Sequence, residues 1–355
     1  MLPELFLDTS SQTARIWEEN RRGEILDLFQ REVYGYTPTA RPKLHHQVTR
    51  QEQISPTVQM ERITLTVGLD GKEASFEILL YTPVQNHGKL PVVVMLNPFS
   101  RSEALDHARR DAQHMPYQEI TAKGCAAVYA LVDGLAKDDK DQYHKGIFEL
   151  FPRENPHGWG VISAWAWGGS RVVDYLCSRD IFDHEQIAVA GFSRGGKAAL
   201  WCAAQDQRVS MVWSVASGCT GAAVTRGKTG EHVADITTQF PHWFAERYKA
   251  YSGNEEALPV DQHLLLGLMA PRRLYVSSSS LDSWADPQSE FKSLTLAAEA
   301  YRLYGLEAVD AYCSFPLVGE QIIKGCTGYH LRGGEHACTK EDWELFLRFI
   351  HRHFK

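Results

Sequence analysis

Hydrophobic and polar residues follow two patterns along the chain. Residues 60–67 (MERITLTV) and 74–81 (ASFEILLY) alternate between the two classes, and the turn-forming GLDGKE between them predicts a β-hairpin. Later segments are continuously apolar, which is typical of parallel strands buried on both faces of a sheet. We expect such strands in five places, at residues 91–96, 125–132, 187–190, 211–217 and 272–280.

Apolar residues at helical spacing alternate with these strands. The first predicted helix should place Leu26, Leu28 and Phe29 on its apolar side, and Gly305 should end the fourth. Residues 309–315 (VDAYCSF) are predicted as the last strand. We expect helices in five places, at residues 13–32, 162–179, directly after Ser193, 289–305 and 339–354.

This order of elements predicts the fold class. A hairpin followed by alternating strands and helices indicates an α/β fold, in which a mostly parallel central sheet carries helices on both faces. No shift in composition divides the chain. We therefore expect a single domain over residues 1–355, with residues 1–40 as an N-terminal helical extension.

Composition excludes several classes of protein. Hydrophobic residues make up 44% and charged residues 23%, an ordinary globular balance, and the net charge of -7 argues against a nucleic-acid partner. No apolar run reaches the roughly 18 residues that a membrane span needs. The start lacks a basic segment followed by an apolar one, so we expect no signal peptide. The chain as written is predicted to be cytoplasmic, or secreted or periplasmic if a leader has been removed.

The seven cysteines are scattered and odd in number, and they form no C-x-x-C pattern. Such usage favours buried free thiols over a disulfide framework or a metal site. We expect no metal and no organic cofactor.

Candidate chemistry begins at GFSRG, residues 191–195, which has the form G-x-S-x-G between a predicted strand and a predicted helix. In that context Ser193 is predicted to be a nucleophile on a strained turn, and the flanking glycines allow the turn to close. The alternative is an ordinary glycine-rich connection. Amides at the start of the following helix would stabilise an oxyanion.

A serine nucleophile needs a base and an orienting acid, which in α/β-hydrolases follow in the order serine, acid, histidine. His336, on the loop before the last helix, is favoured as the base over His330. Asp282 is favoured as the acid over Asp286, because it precedes Pro287 by the offset common in such hydrolases. Asp286 is expected to cap the following helix.

The oxyanion hole needs a second donor besides the amide that follows the serine. The loop after residues 91–96 is the usual source, which makes Asn97 to Phe99 candidates. Arg194 is either an exposed helix arginine or a charged donor to the oxyanion.

Taken together, these residues resemble the glucuronoyl esterase family. GFSRGGKAAL is similar to that family's G-C-S-R-x-G-K-x-A motif. The resemblance implies an α/β-hydrolase that cleaves the ester between 4-O-methyl-glucuronic acid on xylan and a lignin alcohol. Further segments resemble the family at residues 21–38, 158–176, 282–291 and 330–343.

The resemblance also implies roles for charged and aromatic residues. Lys197 would bind sugar hydroxyls, Arg194 would serve the oxyanion, and Trp284 and Glu231 would contact the sugar. From the residues alone, Trp284 could equally pack in the interior. Glu231 could equally pair with a neighbouring cation, Arg226 or Lys228, on the surface.

Two departures from the family's pattern matter. Some members place the acid as a glutamate soon after the strand that follows the serine, but residues 214–224 contain no carboxylate. This strengthens the assignment of Asp282. Phe192 replaces the motif's cysteine, so the disulfide that some members form from that position to the histidine loop is impossible here.

We therefore predict a serine carboxylic-ester hydrolase of the glucuronoyl esterase type. The expected partner is a carbohydrate ester such as a glucuronoxylan or lignin-carbohydrate fragment, and the expected state is a monomer. One alternative is a deacetylase of the acetylxylan esterase type, which would use the same triad. An alternative of another class is a non-catalytic carbohydrate-binding protein that retained the fold.

Overall fold

The computed structural model describes residues 1–6, 13–40, 42–86, 88–99 and 115–354. Within them, ten strands form one sheet in the order β1-β2-β3-β5-β4-β6-β7-β8-β10-β9. The strands are β1 Lys43–Gln53, β2 Val58–Leu69, β3 Lys72–Pro83, β4 Leu90–Asn97, β5 Ala126–Leu131, β6 Phe182–Phe192, β7 Met211–Val215, β8 Arg273–Ser279, β9 Gln321–Lys324 and β10 Thr327–Arg332.

The sheet is mostly parallel, as predicted. Strands β5, β4, β6, β7, β8 and β10 run parallel to their neighbours in that order. The predicted hairpin is confirmed as β2 and β3, which pair antiparallel, and β1 and β9 add antiparallel edges. The carboxyl ends of the parallel strands therefore meet at one edge of the sheet, which is where ligands bind in such folds.

Helices cover both faces of the sheet. Alternate residues of β4 enter two separate cores: Val92 and Val94 join one, and Val93 and Met95 join the other. This explains why the strand is apolar throughout. The α-helices are α1 Ala14–Ile16, α2 Arg22–Phe29, α3 Tyr117–Ala122, α4 Ile147–Leu150, α5 Val161–Cys177, α6 Arg194–Gln205, α7 Val233–Gln239, α8 Gln262–Gly267, α9 Pro287–Arg302 and α10 Lys340–His353.

The N-terminal helix is confirmed, but its buried face differs from the prediction. Two π-helical segments, Trp17–Arg21 and Gln30–Tyr34, interrupt and extend it. Its buried apolar side chains between residues 22 and 33 are Ile25, the predicted Phe29 and Val33, which repeat every four residues and so lie on one face. Trp17 and Tyr34 are also buried, nearer its ends. The predicted Leu26 and Leu28 flank that face and are only half-buried.

The strand predicted at residues 309–315 is wrong. Asp310 instead begins a turn, because its side chain accepts the Tyr312 amide at 3.1 Å and its carbonyl accepts the Cys313 amide at 2.9 Å. The last strand is β10, which pairs parallel with β8. It is the strand that leads to His336.

All seven cysteines are free thiols; four are buried and three are partly exposed. The described residues include no group of three or more His, Cys, Asp or Glu side chains that could hold a metal ion. No helix in the described ranges is long and apolar enough to span a bilayer.

Candidate active site

Ser193 occupies the sharp turn between β6 and α6. Its backbone has φ 55° and ψ -123°, a conformation that residues other than glycine rarely adopt. A Cβ on Gly191 would lie 2.0 Å from the Gly195 carbonyl oxygen, and one on Gly195 would lie 2.7 Å from that of Leu96. Both positions therefore require glycine. The backbone at Ser193 therefore has the predicted strained turn.

His336 and Asp282 come together on neighbouring loops at the same edge of the sheet. The Nδ1 atom of His336 lies 2.5 Å from Oδ2 of Asp282. The imidazole also packs against Phe192, with ring centroids 4.7 Å apart, and so stands beside the nucleophile turn. The His336 side chain is 43% exposed while that of Asp282 is 3% exposed. The imidazole is thus open to a substrate, and the carboxylate is shielded from water.

The environment of Asp282 keeps its carboxylate ionised. Burial by itself would raise the pKa of this group. The hydrogen bond and charge of His336, the Ala285 amide and the charge of Lys197 outweigh burial and lower the pKa below its ordinary value. The carboxylate is therefore charged wherever a histidine can act as a base, and it can hold the imidazole in one tautomer.

The alternative residues for base and acid, His330 and Asp286, have other partners. His330 lies within β10 and is fully buried, where it pairs with the Tyr275 hydroxyl and the Asp342 carboxylate, each at 2.8 Å. Asp286 is the N-cap of α9 and accepts the Ser289 amide, as predicted. Neither residue joins the His336–Asp282 pair.

Arg194 is held in place rather than exposed. Its Nη1 forms an ion pair with Asp138, and its guanidinium lies over the Trp243 ring, 4.8 Å from the centroid. Asp138 also accepts from Trp243 Nε1 at 2.6 Å and from His242 Nε2 at 3.0 Å. The interpretation of Arg194 as an exposed helix arginine is wrong. The side chain of the residue that follows Ser193 is thus held by Asp138 and Trp243.

Asp138 was missed by sequence reasoning. Burial tends to raise the pKa of its carboxyl group. The hydrogen bonds from His242 and Trp243 and the charge of Arg194 lower the pKa below the ordinary value. It lies in a run of charged residues that reads as solvated surface. The available signal was its position, because the segment follows β5 and so leaves the sheet at the edge that carries Ser193.

Asn97 ends β4 next to the nucleophile turn. The adjacent Leu96 carbonyl and Pro98 ring are the atoms that a Cβ on Gly195 would meet. Asn97 is 3% exposed, and within the described part of the chain its Nδ2 has no hydrogen-bond partner. A buried unpaired donor at this place is suited to an oxyanion. Residues 100–103 of the same predicted loop lie outside the described residues.

Lys197 lies one helical turn after Ser193 and is buried. Its Nζ donates to the carbonyls of Ser217 at 2.6 Å and Cys219 at 2.5 Å, and it stands 3.6 Å from the Glu231 carboxylate. An ammonium has three hydrogens, and the two carbonyls take two of them. The third is left for Glu231 or a ligand beside it.

Glu231 and Trp284 lie on adjoining loops. Glu231 is buried, so the alternative in which it pairs with Arg226 or Lys228 on the surface is wrong. Its amide donates to the Trp284 carbonyl at 3.0 Å. The Trp284 side chain is 49% exposed and therefore does not fill the core. It stands as an open aromatic face two residues from Asp282.

Gly230 allows the loops of Glu231 and Trp284 to approach each other. Its φ is +71°, and a Cβ there would lie 2.3 Å from the Ser283 carbonyl oxygen. Gly230→Ala should therefore lower the free energy of unfolding by about 1–3 kcal/mol, measured by urea denaturation. Gly227→Ala is the matched control, since Gly227 has φ +67° but nothing within 4 Å. Equal losses in the two variants would show that the close approach contributes nothing.

The arrangement as a whole suits acyl transfer. A chain of contacts leads from the Ser193 turn through Phe192 to His336 and Asp282. The described residues thus bring together a strained serine, a paired histidine and carboxylate, and donors at the start of a helix. These are the parts that an ester hydrolase requires.

The chain is similar in sequence to known carbohydrate esterases. The family model for fungal glucuronyl esterases matches residues 65–305. A carbohydrate esterase from an unknown prokaryotic organism is 30% identical over 97% of this chain and 87% of its own length. The 4-O-methyl-glucuronoyl methylesterase of Podospora anserina is 27% identical over 83% of this chain, which spans 60% of that protein.

The chain is also similar to solved structures of glucuronoyl esterases. The glucuronoyl esterase from Solibacter usitatus is 31% identical, with a TM-score of 0.92 over 100% of this chain and 98% of its own. The glucuronoyl esterase from Teredinibacter turnerae is 29% identical, with a TM-score of 0.89 over 100% of this chain and 89% of its own. The predicted α/β-hydrolase fold is confirmed. These matches support a carboxylic-ester hydrolase over a non-catalytic binding protein and do not support a deacetylase.

Proposed function

The chain belongs to the glucuronoyl esterase family, and on that premise we propose that it hydrolyses esters between (4-O-methyl-)glucuronic acid of glucuronoxylan and lignin alcohols. The observation that carries the proposal is the His336–Asp282 pair beside the strained Ser193 turn. The four relatives named above are esterases, and three of their names specify a glucuronoyl group. A uronate ester requires a site that combines this chemistry with sugar recognition.

The reaction proceeds through an acyl-enzyme. His336 takes the proton of Ser193 as the hydroxyl attacks the ester carbonyl, while Asp282 holds the imidazole and stabilises its charge. The protonated His336 then gives its proton to the departing alcohol. Water, activated by His336 as base, attacks the glucuronoyl ester of Ser193 and releases the acid.

The oxyanion of each tetrahedral intermediate is stabilised by donors around the turn. The Arg194 amide is the first of helix α6, so it has no carbonyl acceptor within the helix. The Arg194 guanidinium, fixed by Asp138, adds a charged donor, and Asn97 Nδ2 supplies a neutral one. Charged donors act strongly in a site that excludes water.

The sugar is recognised by Lys197 and by the adjoining loops that carry Glu231 and Trp284. Glu231 accepts from sugar hydroxyls, Lys197 donates the hydrogen that its two carbonyl partners leave, and the exposed Trp284 ring packs on the sugar face. These groups favour a uronate over an acetyl group, which offers no ring or hydroxyls to bind.

Parallel kinetics on benzyl glucuronate, methyl glucuronate and acetylated xylan test this function. We expect kcat/KM on the glucuronate esters to exceed that on acetylated xylan by at least about 10²-fold, because the hydroxyl contacts are absent from an acetyl group. Equal or higher efficiency on acetylated xylan would favour the deacetylase instead.

Trp284→Ala tests the sugar contact. We expect KM for methyl glucuronate to rise by about tenfold, the equivalent of roughly 1.4 kcal/mol of lost packing, with little change in kcat. Hydrolysis of p-nitrophenyl acetate, which has no sugar, should be unaffected. Tyr312→Ala removes an aromatic ring that is 91% exposed and outside the site, and it serves as the control. An unchanged KM in Trp284→Ala would remove this residue from the binding site.

A further inference from the structure

Arg332 ends strand β10 and turns its side chain under the loop that carries His336. Its Nη2 donates to the carbonyls of Glu335 at 2.8 Å and Ala337 at 3.1 Å, the two residues that flank His336. Its Nη1 donates to the Gly333 carbonyl. Arg332 is only 5% exposed, so water competes little for these hydrogen bonds. One guanidinium therefore fixes the backbone on both sides of the histidine.

The same guanidinium reaches the end of strand β8, which leads to Asp282. Nη2 of Arg332 lies 2.5 Å from the Ser279 hydroxyl, and the Ser279 carbonyl accepts the Asp282 amide at 3.1 Å. The two loops also meet directly, since the Leu281 amide donates to the Gly334 carbonyl at 2.9 Å. Arg332 thus links the backbone around the histidine to the strand end that leads to Asp282.

Arg332 is itself anchored in the core. Its Nε lies 2.8 Å from the Asp342 carboxylate, an ion pair without hydrogen-bond alignment. Burial tends to raise the pKa of Asp342, but the hydrogen bond and charge of His330, the Thr339 amide and the charge of Arg332 lower it below its ordinary value. The carboxylate stays charged, and it also caps α10 through Thr339. Arg332 and its hydrogen bonds to the backbone on both sides of His336, called the clamp below, are therefore connected to a helix as well as to two loops.

From these contacts we propose that Arg332 is a positioning residue that sets the direction of His336 toward Ser193 and Asp282. The inference rests on the proposed function, in which His336 is the general base. Phe192 packs against the imidazole ring, so the ring is bounded by that contact and by the clamped backbone. A displacement of about 1 Å in a catalytic group can reduce the rate by about 10²-fold.

Arg332→Lys tests the proposal, because lysine keeps the charge beside Asp342 and loses the planar fork. We expect kcat on benzyl glucuronate to fall by about 10- to 100-fold with KM within about twofold. The split between kcat and KM distinguishes positioning from stability, since a residue that only stabilises the fold would leave kcat of the folded enzyme unchanged.

Arg272→Lys is the matched control. Arg272 is a clamp of the same kind elsewhere in the fold, and its Nη1 donates to the carbonyls of Ala203, Asp206 and Val209. We expect this variant to lose thermal stability while its kcat and KM stay those of the wild type. If Arg332→Lys behaved in the same way, the positioning role would be refuted.

Two further measurements keep the test decisive. Should Arg332→Lys fail to fold, Ser279→Ala removes one partner of the guanidinium and should give a several-fold fall in kcat in the same direction; an unchanged kcat would overturn the proposal. The rate at which a fluorophosphonate labels Ser193 depends on the base but not on glucuronate. A slower rate in Arg332→Lys supports the clamp even if the natural substrate proves to be another ester, and an unchanged rate refutes it.

Discussion

Replacing Ser193 with alanine should lower kcat on benzyl glucuronate by about 10⁴- to 10⁶-fold, because the acyl-enzyme cannot form. The positive φ of Ser193 is fixed by the strand and helix that flank it, so alanine should adopt the same turn. We expect the variant to fold and to bind glucuronate with unchanged affinity, measured by calorimetry.

The control for this variant is Ser178→Ala at the end of α5, where the hydroxyl donates to the Tyr175 carbonyl at 2.6 Å. Its activity should match that of the wild type. Retention of more than about a tenth of the wild-type kcat in Ser193→Ala would remove Ser193 as the nucleophile, since triad serines contribute far more than tenfold.

Replacing Asp282 with asparagine should lower kcat by about 10⁴-fold, the magnitude seen when the acid of a serine triad loses its charge. The amide can donate to His336 Nδ1 and so favour the wrong tautomer, in which Nε2 carries a proton and cannot accept one from Ser193. KM should change little, because Asp282 faces the base rather than the sugar site. Steady-state kinetics on benzyl glucuronate measure both quantities.

Asp286→Asn distinguishes the two candidate acids. Asp286 caps α9, and asparagine caps a helix nearly as well, so we expect kcat within a few-fold of wild type. If the Asp286 variant lost activity and the Asp282 variant kept it, the assignment of the acid would be reversed.

Much of the fold was predictable because burial on two faces leaves a clear pattern. Strands β4 and β5 are entirely buried and read as continuous apolar runs. The edge strand β1 was missed, since it is largely exposed and has the polar sequence KLHHQVTRQEQ. Residues 309–315 were wrongly predicted as a strand. A short apolar pattern does not show that the Asp310 side chain will accept a backbone amide and form a turn.

The site was predictable where one local segment defines the geometry. The turn at Ser193 follows from glycine spacing, and the order of Asp282 and His336 follows from the topology. The positions of Asp138, Glu231 and Arg332 depend on contacts with distant segments. Glu290 is a further example: it is fully buried, accepts the Gly218 amide at 2.9 Å, and burial raises its pKa to about 7, yet its sequence context suggests an exposed helix position.

The central claim is that Ser193 carries the glucuronoyl group during turnover. Mass spectrometry of enzyme mixed with benzyl glucuronate, acid-quenched during the first turnovers and digested, tests it most directly. The account predicts one glucuronoyl group on the peptide that contains Ser193, and none on the Ser193→Ala variant. A glucuronoyl group on a different residue, or continued release of benzyl alcohol by Ser193→Ala at the wild-type rate, would contradict it.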